Sequence, residues 1–246
     1  MHSKPLAILK TGESFEALIR REGDFEDWTI RALGIPPDHA HVWDARNGEL
    51  PHSDEVAGMV ILGSPHMVTE DEPWMQAAES CVRGFVAAQV PTLGICFGHQ
   101  LVATALGGTV DWHPSGREMG TVALTLSEVG RTDPLLGGME PVFAVQSSHL
   151  QSVLRLPDGA VPLARSEAQE HEAFRVGATT WGVQFHPEFT PDITRAYVER
   201  QRAALEREGR NPDEILAGVT ESPAGDVLVR FARMVAGPAS RPYPSR

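Results

Sequence analysis

The stretch Gly94-Ile95-Cys96-Phe97-Gly98-His99-Gln100 carries more information than any other part of the chain. It follows the apolar run Val90-Pro91-Thr92-Leu93 and precedes a helix-like segment, Leu101 to Leu106, so Cys96 falls at a strand-to-helix junction. Glycine two residues before and two after the cysteine leaves room for a sharp turn and for close approach of backbone or ligand. A thiol at a helix N-terminus lies in the partial positive charge that favours thiolate. This is the pattern of a nucleophile elbow, with cysteine where many hydrolases carry serine. An isolated cysteine is usually a small core residue, and Cys81 is read that way.

Upstream, strand and helix alternate. Leu6 to Leu9 reads as a strand, Ser14 to Leu33 as a helical region with an interruption at Gly23, and Pro36-Pro37 as its end. His41-Val42-Trp43 is a short strand, and Met59-Val60-Ile61-Leu62 a strand buried on both faces. Trp74 to Ala88 is helical, with Trp74, Ala77, Ala78, Cys81, Val82 and Phe85 on one stripe. Such alternation implies a mostly parallel sheet covered on both faces. From about Gly107 the texture changes to short strands: Gly120 to Leu126, Val142 to Val145, Val161 to Ala164, Glu172 to Val176 and Thr180 to Phe185. They predict an antiparallel or mixed extension of the same sheet. Helices return at Ile193 to Arg207 and Asp226 to Val235. With no linker or repeat in 246 residues, a single domain over 1–236 is expected, followed by a disordered, proline-rich tail at 237–246.

A net charge of −12 argues against a nucleic-acid-binding surface. No apolar run approaches the ~20 residues of a membrane span, and no signal-peptide pattern is present. Cys81 and Cys96 sit in dissimilar contexts, so no disulfide is expected and a reducing cytoplasm fits.

A thiol nucleophile needs a base, and the base an orienting partner. Trp181-Gly182-Val183-Gln184-Phe185-His186-Pro187-Glu188 offers both. On a strand, Gln184 and His186 share one face and Val183 and Phe185 the other. Pro187 keeps His186 extended, and Glu188, two residues on, can hold one imidazole nitrogen while the other points at the thiol. Alone, the same residues would be an ordinary surface turn. His99, His149, His186 and Glu188 fit no familiar metal-ligand spacing, so no metal is expected, and His99 reads as a structural histidine. No phosphate-loop pattern accompanies Gly107-Gly108, and no cofactor is expected.

The cysteine elbow with a distant His-Pro-Glu resembles the class I glutamine amidotransferases, whose Cys-His-Glu triad hydrolyses the side-chain amide of glutamine. The resemblance extends through Leu62-Gly63-Ser64-Pro65, Asp71-Glu72-Pro73-Trp74 and Gly116-Arg117-Glu118-Met119-Gly120, and covers about residues 40 to 190. It is strongest to stand-alone members akin to the amidotransferase domain of GMP synthase, plant-type γ-glutamyl peptidases included. It implies a three-layer α/β/α, flavodoxin-like fold, with Cys96, His186 and Glu188 as the triad. It further implies that the backbone amides of Ser64 and Phe97 face the oxyanion, and that Gly63, Gln100, Ser148 and His149 hold the glutamyl group. Relatives often carry Gly-Gly-Pro where this chain has Gly63-Ser64-Pro65, and His-Gly where it has His149-Leu150.

Three functions follow: a self-sufficient hydrolase of glutamine or γ-glutamyl amides and peptides, a glutaminase subunit delivering ammonia to a separate synthase, or a non-enzymatic binding protein that keeps the fold. The first is favoured by the resemblance to γ-glutamyl peptidases, and the intact triad disfavours the third. The expected partner is a small molecule, glutamine or a γ-glutamyl compound, with a synthase subunit under the second reading; neither nucleic acid nor membrane is expected.

Overall fold

A computed structural model describes residues 4–48 and 50–237; residues 238–246, the rest of the expected tail, lie outside the described residues. The chain begins with β1 (Leu6–Lys10), α1 (Glu16–Glu22), α2 (Phe25–Leu33), β2 (Ala40–Asp44), β3 (Gly58–Ile61), α3 (Pro73–Ala87), β4 (Thr92–Ile95) and α4 (Phe97–Ala105). Seven strands follow: β5 (Thr109–Trp112), β6 (Glu118–Leu126), β7 (Val142–His149), β8 (Gln151–Arg155), β9 (Val161–Arg165), β10 (Ala173–Val176) and β11 (Thr180–Val183). Four helices complete the described fold: α5 (Pro191–Arg200), α6 (Arg202–Arg207), α7 (Pro212–Ala217) and α8 (Gly225–Ala236).

Among the described residues, nine strands form one sheet in the order β2-β1-β3-β4-β11-β10-β9-β6-β7. The pairings from β2 to β11 are parallel, and those from β11 to β7 are antiparallel. The expected antiparallel extension is therefore joined to the parallel half through β11. Because side chains alternate along a strand, the apolar residues of β1 and β3 sort into two cores. Leu6, Ile8 and Val60 pack with Leu18 of α1, Phe25 and Trp28 of α2 and Phe231 of α8. Ala7, Leu9, Met59 and Ile61 pack with Met75, Val82 and Phe85 of α3 and Leu101 of α4. Two apolar layers on opposite faces of one sheet make the three-layer α/β/α architecture. No helix among the described residues is long and apolar enough to cross a membrane.

The interruption expected at Gly23 divides the region Ser14 to Leu33 into α1 and α2, and Asp24 caps α2: its carboxylate accepts from the Phe25 N–H at 2.9 Å while its own N–H donates to Asp27 at 2.9 Å. Two features depart from the sequence reading. Strands β5 and β8 pair only with each other, in a ribbon whose Val110 and Val153 pack into the α4-side core. Their residues are roughly 40 positions apart along the chain, and no turn between them marks the pairing. The region Ile193 to Arg207 breaks at Gln201 into α5 and α6, and α7 folds back so that Ile215 and Leu216 cover Met119, Val198 and Leu205.

Candidate active site

Strand β4 delivers Cys96 directly into the first turn of α4. Cys96 adopts φ 50° and ψ −100°, a conformation that a non-glycine residue holds only under constraint. The constraint is visible on both sides. The Cys96 N–H donates to the Val183 carbonyl at the end of β11, at 2.9 Å. A Cβ on Gly94 would lie 2.3 Å from the Gly98 carbonyl oxygen, and one on Gly98 would lie 2.4 Å from that of Ile61. Gly94 is thus required by the backbone of the first turn of α4, and Gly98 by the backbone of β3. The turn stores strain on the order of 1–3 kcal/mol and projects the sulfur from the C-terminal end of β4.

His186 follows β11, the strand next to β4, which is why residues so distant in sequence meet. Its N–H donates to the Gln146 carbonyl of β7 at 2.8 Å. Its ring stacks on Phe189 with centroids 4.0 Å apart and lies 6.2 Å from Phe25. Phe25 is held there by the α2 cap, since Lys10 pairs with both Asp24 (2.9 Å) and Glu26 (2.7 Å). His186 Nδ1 bonds Glu188 Oε1 at 2.7 Å, and both residues are buried. Burial opposes a charge on His186, but the neighbouring Glu188 and Cys96 outweigh it and push the imidazole up to about 10. The ring lies between a carboxylate and the sulfur, and both favour its protonated form.

The loop after β3 crosses the edge of this ring so closely that a Cβ on Gly63 would come 2.9 Å from His186 Cε1. Thr11 pins the loop through its hydroxyl, which donates to the Leu62 and Gly63 carbonyls at 3.1 Å, while Ser64 Oγ donates to the Thr11 carbonyl at 2.8 Å. The N–H groups of Ser64 and Phe97 have no acceptor among the described residues. Two main-chain donors beside a nucleophile suit an oxyanion.

Ser64, Phe97, Gln100, Ser148, His149 and Leu150 line a cavity of about 140 Å³ with Cys96 and His186 at its floor. Gln100 donates from Nε2 to the Gln151 carbonyl (2.7 Å) and to Gln184 Oε1 (3.1 Å), which leaves its own Oε1 as the free polar atom. The Ser148 carbonyl lies 3.9 Å from Cys96 Sγ. Both ring nitrogens of His149 have protein partners, the Gln151 carbonyl and Glu118 Oε2, each at 3.1 Å. A larger groove of about 900 Å³ between α1 and α5 is lined by Phe15, Arg21, Arg195 and other surface residues, with no nucleophile.

His99 is fully buried beside Phe174 (4.8 Å), and burial lowers it to about 3, so it is neutral. Three residues given no role by the sequence reading adjoin the sulfur or the cavity wall: Gln184, Glu118 and Glu172. Gln184 was placeable, since strand alternation puts it on the face of His186. Glu118 is opposed to His149 in the β6–β7 register and accepts from Ser147 and Ser166, each at 3.1 Å. Burial works against its charge, but His149 outweighs it and holds Glu118 at about 2. Glu172 is fully buried, and burial, then Glu118, pushes it well above the carboxylate range.

The family profile described as glutamine amidotransferase class-I matches residues 29–203, a span that takes in the elbow, the cavity walls and the His-Pro-Glu segment. The chain belongs to this family. It is 36% identical over 136 residues to one subunit of the glutamine-hydrolysing GMP synthase of Methanococcoides burtonii, an alignment covering 55% of this chain and 66% of that protein, just under two thirds of its length. It is 30% identical over 186 residues to gamma-glutamyl peptidase 3 of Arabidopsis thaliana, covering 72% and 74% of the two chains. A glutamine amidotransferase from Thermotoga maritima shares the fold, with a TM-score of 0.74 and 22% identity over 96% of this chain and all of that one. In this class I amidotransferase, the elbow and the His-Pro-Glu segment follow two strands that are adjacent and parallel, β4 and β11.

Proposed function

We propose that this chain is a cysteine hydrolase that cleaves the γ-amide of glutamine, or of a γ-glutamyl amide or peptide, through a γ-glutamyl thioester. The observation that carries the reading is the geometry of a buried His186, bonded to Glu188 at 2.7 Å and adjoining a strained Cys96. The Cys96 thiolate attacks the γ-carbonyl carbon, and the N–H groups of Ser64 and Phe97 receive the charge on its oxygen. His186 gives its proton to the departing amine, the C–N bond breaks and the thioester remains. His186 then takes a proton from water, hydroxide adds to the thioester carbonyl, and the C–S bond breaks to release glutamate and regenerate the thiolate beside protonated His186. Gly63, Gln100, Ser148 and His149 hold the glutamyl group in this scheme, His149 through its backbone. No metal or cofactor enters it.

Incubation of the purified chain with glutamine and a panel of γ-glutamyl dipeptides, following free glutamate, tests the proposal. Glutamate release that is lost in Cys96→Ala supports it, and no release from any substrate overturns the self-sufficient form. The likeness to a GMP synthase subunit favours a second reading, a glutaminase that feeds ammonia to a separate synthase. Under that reading glutamate release from glutamine rises sharply on adding the ATP-dependent partner.

A further inference from the structure

The reacting sulfur has a neighbour that the scheme above does not use. Gln184 follows β11, is fully buried, and directs Nε2 at Cys96 Sγ from 3.6 Å. An amide can point either of its two ends at a neighbour, and the ends have opposite effects on a sulfur anion. Here the orientation follows from a fixed anchor. The Gln151 carbonyl can only accept, so the group of Gln100 that faces it at 2.7 Å is the NH2. That same NH2 reaches the Gln184 side chain at 3.1 Å, so the Gln184 atom facing it is the oxygen. The Gln184 NH2 is therefore left for the sulfur. Its backbone is fixed as well, since the Gln184 N–H donates to the Glu172 carbonyl at 2.8 Å.

We propose that Gln184 is a further catalytic residue, an N–H donor that holds the Cys96 sulfur in its anionic form and aims it into the cavity, with Gln100 as the positioning residue that fixes the direction of the amide. This rests on the assignment of Cys96 as nucleophile. The two neighbours of the sulfur divide its states between them. As a thiol it can donate to the Ser148 carbonyl, 3.9 Å away. As a thiolate it is an acceptor, which the carbonyl repels and the Gln184 amide attracts. The same donor stabilises the sulfur again as it leaves the thioester in the second half of the reaction. The titratable groups that feel the Cys96 charge are His186, Glu172 and Tyr197, and substitution at 184 leaves all three in place.

The test reads the sulfur directly and needs no substrate. Alkylation of Cys96 by iodoacetamide is followed from pH 5 to 10 by the mass of the Cys96 peptide, which separates it from Cys81. In Gln184→Met, of similar volume but without a donor, alkylation at pH 7 falls at least about tenfold and the profile moves to higher pH, as expected for a lost bond to an ionised group. In Gln184→Glu it falls further, because an oxygen then faces the sulfur. In Gln100→Met the amide is free to turn, and the loss is about two- to fivefold. A Gln184→Met profile that superimposes on the parent, or a faster reaction at pH 7, overturns the proposal. Should Gln184→Met fail a far-UV dichroism check of folding, the Gln100→Met profile decides by the same criterion. If the parent releases no glutamate from any substrate, the hydrolase reading fails while the alkylation result still stands.

Discussion

Two buried histidine–carboxylate pairs line the chamber around Cys96, and they are built for opposite purposes. His186 meets Glu188 at 2.7 Å and His149 meets Glu118 at 3.1 Å. In residue type and burial they are alike. They differ in where the second ring nitrogen goes. His186 spends Nδ1 on its carboxylate and turns its remaining side to the sulfur. His149 gives its second nitrogen to the Gln151 carbonyl and has nothing left for a reacting atom. The carboxylates differ too: Glu118 also accepts from the hydroxyls of Ser147 and Ser166, and beside it lies Glu172, whose two carboxyl oxygens are buried without a hydrogen-bond partner among the described residues. A His–carboxylate pair is thus a catalytic element only where the fold leaves one nitrogen uncommitted beside a nucleophile; otherwise it is a clamp between strands.

Substitutions can break this contrast, and the largest effect belongs to the sulfur. Cys96→Ala removes the atom served by His186, and glutamate release falls by at least about 10⁴-fold while the far-UV dichroism is unchanged. Next comes the exchange of histidines. His186→Asn lowers turnover by at least about 10³-fold and also costs stability, because it strips the buried Glu188 of its imidazole. His149→Asn likewise leaves a buried carboxylate, Glu118, without its imidazole and costs about 3–5 kcal/mol in denaturant unfolding, but its effect on turnover is far smaller. Equal losses of activity in the two variants would erase the distinction.

Smaller effects sharpen it. Glu188→Gln removes a charge that raises His186, so the imidazole titrates well below about 10, as followed by its NMR shifts against pH, and turnover falls about 10- to 100-fold. In the parent, the contribution of His186 to stability is complete below its unfolded value, near 6.5, and fades as pH rises toward about 10. The clamp carries both signs. Glu118, held at about 2, contributes stability above its unfolded value and loses it as pH falls toward 2. Glu172, raised well above the usual range by burial, contributes fully below its unfolded value, and that contribution fades as pH rises from there through its folded value. Glu172→Gln, neutral at every pH, should therefore gain stability on the parent as urea melts move from pH 5 to pH 9, and a difference that does not change with pH would contradict this.

Much of this was legible in the chain itself, and the misses share a cause. The elbow was readable because glycine at 94 and 98 reports local crowding, and the base because Pro187 and strand alternation fix where His186 and Glu188 point. The Glu118–His149 pair was not, since the strands read from the sequence begin at Gly120 and end at Val145, short of both residues. Its partners are 31 positions apart and meet only because β6 and β7 pair in one register; a slip of one residue would send one of them to the other face. The β5–β8 ribbon escaped for the same reason.

Sequence alone determined the strand–helix alternation of the first hundred residues, the thiol at a strand-to-helix junction and a histidine backed by a carboxylate, since each is written in the period, the turn residues and the spacing of a few neighbours. Tertiary structure alone decided which histidine faces the sulfur, which is locked between strands, and which end of the Gln184 amide meets Cys96 across 88 positions. Those choices depend on strand neighbours and on chains of hydrogen bonds that close only when the sheet is complete.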